Sequence, residues 1–131
     1  MNELFADRIN IIAKKSGEST ADATKAMKAV ARAMAMSGLP FERSSKASEG
    51  YAVWLAAAAK EDLRKRHKAE YSKKTRSFFI PEAIVWSLLW RVLGPLVEAA
   101  IVSLLEWWLM PAHNYASADG IVNNLKDFGN S

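Results

Sequence analysis

Residues 80–110 restrict the fold more than any other part of the chain. They hold four of the five tryptophans, and only Glu82, Arg91, Glu98 and Glu106 carry charge. Thirteen Leu, Ile and Val side chains fall between residues 84 and 109. A water-exposed monomer would leave a large apolar patch. The segment therefore predicts either a membrane span or the centre of a protein core.

Several features suit a span. A helix over residues 84–109 is about 39 Å long, enough to cross about 30 Å of hydrocarbon with tilt. Phe78, Phe79, Trp86 and Trp90 lie toward one end, and Trp107 and Trp108 toward the other. Trp86 and Trp108 stand about 33 Å apart along such a helix, the layout of two interfacial belts. The flanks are unequal: residues 60–76 carry eight basic and three acidic side chains, while residues 111–131 carry only Asp119, Lys126 and Asp127. The positive-inside rule then places the N-terminus in the cytoplasm and the C-terminus outside.

The charges complicate that reading. Ser87, Arg91, Glu98 and Glu106 follow spacings of four, seven and eight, which put them on one helical stripe. The apolar residues favour insertion by roughly 4 to 8 kcal/mol, while each central charge costs about 2.5 to 3.5 kcal/mol. A lone spanning helix is therefore marginal. Pairing of Arg91 with Glu98, within the chain or between copies, would offset the cost. Self-association belongs to the membrane reading for that reason, and Ala99, Ala100 and Ser103 permit close helix contact.

The competing reading starts from Gly94-Pro95. Proline suits the first turn of a helix, so this pair predicts a kink, or a break into two helices. The Trp-rich hairpin would then be the buried centre of a soluble scaffold subunit.

The rest of the chain predicts helices throughout. Phe5, Ile9 and Ile12 give residues 2–15 one apolar face, closed by Ser16-Gly17. Ser19 to Asp22 resembles a capping box with Asp in place of Glu. Ala23, Met27, Val30 and Met34 then form a narrow seam, with Lys25, Lys28 and Arg32 off it, ending at Gly38-Leu39-Pro40. A third helix starts near Ser45 or Ser48; its first half is Ala-rich and its second half basic. Leu63, His67 and Tyr71 continue a face at spacings of four. Past Pro111, Asp119 caps a short helix bearing Ile121, Leu125 and Phe128, ended by Gly129. The expected architecture is all-α, a bundle of four to five helices in one unit: 1–45, an N-terminal pair; 46–77, the Ala-rich then basic helix; 78–112, the apolar helix or hairpin; and 113–131, a polar tail.

Composition narrows the function. The 131 residues fit one domain and carry a net charge of +4. The absence of cysteine excludes disulfides and thiolate chemistry. Residues 1–8 lack the apolar core of a secretory signal. His67 sits in a basic run and His113 follows Pro111, neither with a second ligand at metal spacing. No phosphate loop, nucleophile elbow or dinucleotide fingerprint occurs. No cofactor, metal or catalysis is expected.

Arg64, Lys65, Arg66, Lys68, Lys73, Lys74 and Arg76 form a basic face suited to lipid headgroups or nucleic acid. Thus the sequence predicts a non-enzymatic, oligomerising structural protein at a membrane, such as an anchor, a pore subunit or a virion component. The alternative is a scaffold subunit inside a larger assembly, touching nucleic acid through residues 60–76.

Overall fold

A computed structural model of the chain describes residues 3–37, 45–78, 81–109 and 118–131, of which 3–4, 45–49, 71–78, 109 and 118–119 are described by backbone alone. It contains five helices: α1 (Glu3–Ser16), α2 (Thr20–Ser37), α3 (Ser45–Phe78), α4 (Glu82–Leu109) and α5 (Ala118–Gly129). Among the described residues there is no strand, so the fold is all-α.

The first two helix ends follow their local chemistry. Gly17 adopts φ of 70°, where L side chains are strained. Its N–H reaches the Lys14 carbonyl at 3.4 Å, and the Glu18 N–H reaches Ala13 at 3.0 Å. These two bonds make a Schellman cap on α1. Ser19 then caps α2: its Oγ accepts from the Asp22 N–H at 3.1 Å.

The bundle is arranged around α2, which packs against all four other helices. Six consecutive residues, 29 to 34, are all buried, a pattern that a helix with one solvent face cannot show. The expected seam of Ala23, Met27, Val30 and Met34 is indeed buried, but so are Ala26, Ala29, Ala31, Arg32 and Ala33. Alanine explains the difference. A methyl side chain lets neighbouring helices approach closely on every side.

Helix α4 supplies the largest share of the core. Leu93, Leu96, Val97, Ala100, Ile101, Leu104, Leu105, Trp107 and Trp108 are buried, while Ile84, Ser87, Leu88, Arg91, Pro95, Glu98, Val102 and Glu106 face outward. Gly94-Pro95 lies inside this single helix rather than between two. Pro95 cannot donate to the Arg91 carbonyl. Arg91 and Pro95 are exposed, so water can replace the missing donor, while Gly94 is half-buried beside the Trp90 ring. Leu93, Leu96 and Val97 hold the inward face continuous across the proline.

The remaining helices close the core. Helix α3 buries Leu55, Ala59 and Leu63 at spacings of four, with His67 half-buried beyond them. Helix α5 buries Ile121, Leu125 and Phe128 as its pattern predicts. Phe128 stacks on Phe5 at 4.3 Å, and Phe5 meets Trp107 edge-on at 5.5 Å. Helix α5 is therefore part of the bundle.

Candidate interaction surfaces

Three places in the molecule combine charge with an unusual setting. The first is the outward stripe of α4. A groove of about 740 Å³ runs between it and α1, with Arg91, Pro95, Glu98, Val102 and Glu106 on one wall and Arg8, Ile11 and Lys15 on the other. At the Glu106 end the walls are tied. Arg8 Nη1 donates to Ser103 Oγ at 3.3 Å and lies 3.7 Å from the Glu106 carboxylate. At the other end, among the described residues, no ion pair joins Arg91 to Glu98. Both are exposed in one copy of the chain, so burial of that pair needs a partner. Ile11 and Val102 leave 62% and 55% of their surface in water, which makes the groove partly apolar.

The second is the basic face of α3. Lys60 Nζ sits 4.7 Å from the centre of the Trp90 ring, and the Arg64 guanidinium 5.6 Å from that of Trp86. Cations over indole faces hold the basic helix against the start of α4. Trp86 is buried beneath Arg64, and Trp90 is half-buried. Lys65 and Lys68 are exposed, whereas Arg66 is engaged: its Nε donates to Asp62 at 3.2 Å. Trp107 and Trp108 do not lie at a surface but in the core, each 4% exposed. Phe79 and His113 fall outside the described residues. Phe78, Lys73, Lys74 and Arg76 fall on α3, where the backbone alone is described.

Near the start of α2, Lys25 Nζ lies 3.2 Å from Glu70, which also contacts His67 Nδ1 at 3.3 Å. The Lys25 hydrogen bond, followed by its charge and the His67 contact, holds the Glu70 carboxyl below its ordinary range against a smaller opposing effect of burial. At the other end of α2, Tyr51 Oη lies 2.8 Å from Ser37 Oγ. Burial raises the Tyr51 phenol, and the Ser37 hydrogen bond partly offsets this.

The third setting has no counterpart in the sequence-based expectations. Arg32, 8% exposed, points from α2 into the junction with α3 and α5. Its Nε donates to both Asp62 oxygens at 3.2 and 3.1 Å, and Nη2 donates to Oδ2 as well. Its Nη1 donates to the Gly129 carbonyl at 2.6 Å. One guanidinium thus joins three helices. A signal existed: Arg32 is the single charge in the apolar run from 29 to 36.

None of these places brings together a nucleophile, a base and an orienting group. Among the described residues, no three of His, Asp and Glu gather as metal ligands would. No protein-family model, curated protein or solved structure matches the chain.

Proposed function

We propose that the protein is a non-enzymatic helical subunit that works by associating with further copies of itself. The observation behind this reading is the orientation of α4. It is the one described helix long and apolar enough to cross a membrane, yet half of its most apolar window is buried inside the bundle. The side it turns outward alternates Arg91, Glu98 and Glu106 with Leu88, Pro95 and Val102. Hydrocarbon penalises such a stripe, whereas protein interfaces combine apolar and polar groups in this way. Light scattering after size exclusion, without detergent, tests the reading. A concentration-dependent oligomer is expected. A monomer at every concentration, or a need for detergent to stay in solution, overturns it.

A second reading, docking of the subunit on an anionic membrane surface, is favoured by the face that carries Lys60, Arg64, Lys65 and Lys68 beside Trp86 and Trp90. Flotation with phosphatidylserine vesicles at low and high salt checks it. Salt-sensitive co-flotation is the expected outcome, and recovery in the soluble fraction at both salts removes the reading.

A further inference from the structure

The groove between α1 and α4 carries a charge pattern that selects its own occupant. Its walls present three cations, Arg8, Lys15 and Arg91, against three anions, Glu18, Glu98 and Glu106. A balanced row offers little to a polyanion or a polycation. It suits a partner with the same balance in reversed order.

We infer that the occupant is the α4 stripe of a second copy, laid antiparallel across a twofold axis at Gly94-Pro95. This rests on the self-association proposed above and gives it a register. Arg91 and Glu98 lie seven residues apart, about 10.5 Å along the helix and within about 20° of the same direction. Reversing one copy about the midpoint between Gly94 and Pro95 sets Arg91 against Glu98 of the other, and Glu98 against its Arg91. The same operation brings the Ser87 and Leu88 turn opposite Val102. At the axis stand Gly94 and Pro95, which have no long side chain to hold the helices apart. An isologous contact of this kind closes on itself as a dimer. Ile11 of α1 flanks the seam and supplies the apolar surface beside it.

Charge reversal tests the register. Arg91 and Glu98 are exposed and pair with nothing among the described residues, so changing them leaves the bundle folded, which circular dichroism verifies. Arg91→Glu alone places two like-charged pairs across the axis, and so does Glu98→Arg alone. Each single variant should associate about tenfold more weakly than the parent or worse. Mixed in equal amounts, the two variants restore both opposite-charge pairs and should form a one-to-one heterodimer, read by sedimentation velocity.

The cysteine-free chain permits a second readout. Pro95→Cys lies at the axis and should oxidise to a disulfide-linked dimer. Glu106→Cys should not, because the two copies of that position stand about 35 Å apart along the seam. A parent that associates while both reversals have no effect, or while the mixture stays dissociated, overturns the register and leaves self-association standing. Cross-linking at both cysteine positions also overturns it, in favour of a parallel pairing. A parent that is monomeric throughout overturns both proposals.

Discussion

Replacing Arg32 with methionine should cost the protein about 3 kcal/mol of stability. Methionine keeps the apolar stem and removes the guanidinium. Two groups then lose their donor. Asp62 loses a buried cation; breaking such a pair costs about 3 to 5 kcal/mol when the remaining charge is sealed in. Here the carboxylate is 21% exposed and keeps Arg66 at 3.2 Å, which places the effect at or below the lower end of that range. The Gly129 carbonyl also loses its 2.6 Å donor, a penalty of about 1 kcal/mol or more where water does not replace it. Recovered packing by the methionine offsets part of the sum. For a domain of this size, about 3 kcal/mol lowers Tm by roughly 10 °C. Urea denaturation followed by helical circular dichroism and tryptophan fluorescence measures it. Arg32→Lys retains the charge but not the fork that spans Asp62 and Gly129, and should fall between parent and Arg32→Met. The double variant Arg32→Met, Asp62→Leu, which removes both charges, should be more stable than Arg32→Met alone. A loss below about 0.5 kcal/mol for Arg32→Met, the range of ordinary surface changes, would refute the assignment of Arg32 as the tie between α2, α3 and α5.

Other substitutions probe the same packing. Gly129→Ala would set a Cβ 2.5 Å from the Arg32 Cγ and 3.3 Å from the Lys28 carbonyl; overpacking of about 1 to 3 kcal/mol is expected in thermal melts. Phe5→Ala removes a ring that is 1% exposed and touches both Phe128 and Trp107; about 3 to 5 kcal/mol should be lost in urea titrations. Glu70 has its pKa lowered in the folded state, so its contribution is present above the unfolded carboxylate pKa and fades as pH falls through the folded value. Glu70→Gln should therefore destabilise at pH 7, by less than about 1 kcal/mol because the group is 47% exposed, and the difference should vanish as acid protonates the folded-state carboxylate.

The helices were legible because their signals are local. Gly17, the Ser19 cap and the spacing of Ile121, Leu125 and Phe128 each act within a few residues, and each appears where the sequence predicts it. The centre of the bundle was harder to read. Residues 80–110 dominate any apolarity count, but α2 occupies the middle through alanines, which contribute little hydrophobic weight and much proximity. Gly94-Pro95 carries the same local sequence whether it starts a helix or sits inside one; only the shared buried face of Leu93, Leu96 and Val97 decides. The tryptophan spacing is equally ambiguous. Trp86 and Trp108 fit two membrane belts by distance along the helix, and burial within the bundle is invisible to that distance. Periodicity places Arg32 off the seam of Ala23, Met27, Val30 and Met34 and says nothing more, because its partners lie 30 and 97 residues away.

The separation of 97 residues between Arg32 and Gly129 has a kinetic consequence. Helix α2 is made early, but its last covering, α5, is made late. Until α5 docks, the early helix holds an uncovered Ala and Met surface and a cation without its full set of acceptors. Non-local contacts of this kind form slowly, since the intervening chain must be ordered before they are rewarded. The nascent bundle thus passes through a stage with exposed apolar surface, which the docking of α5 covers.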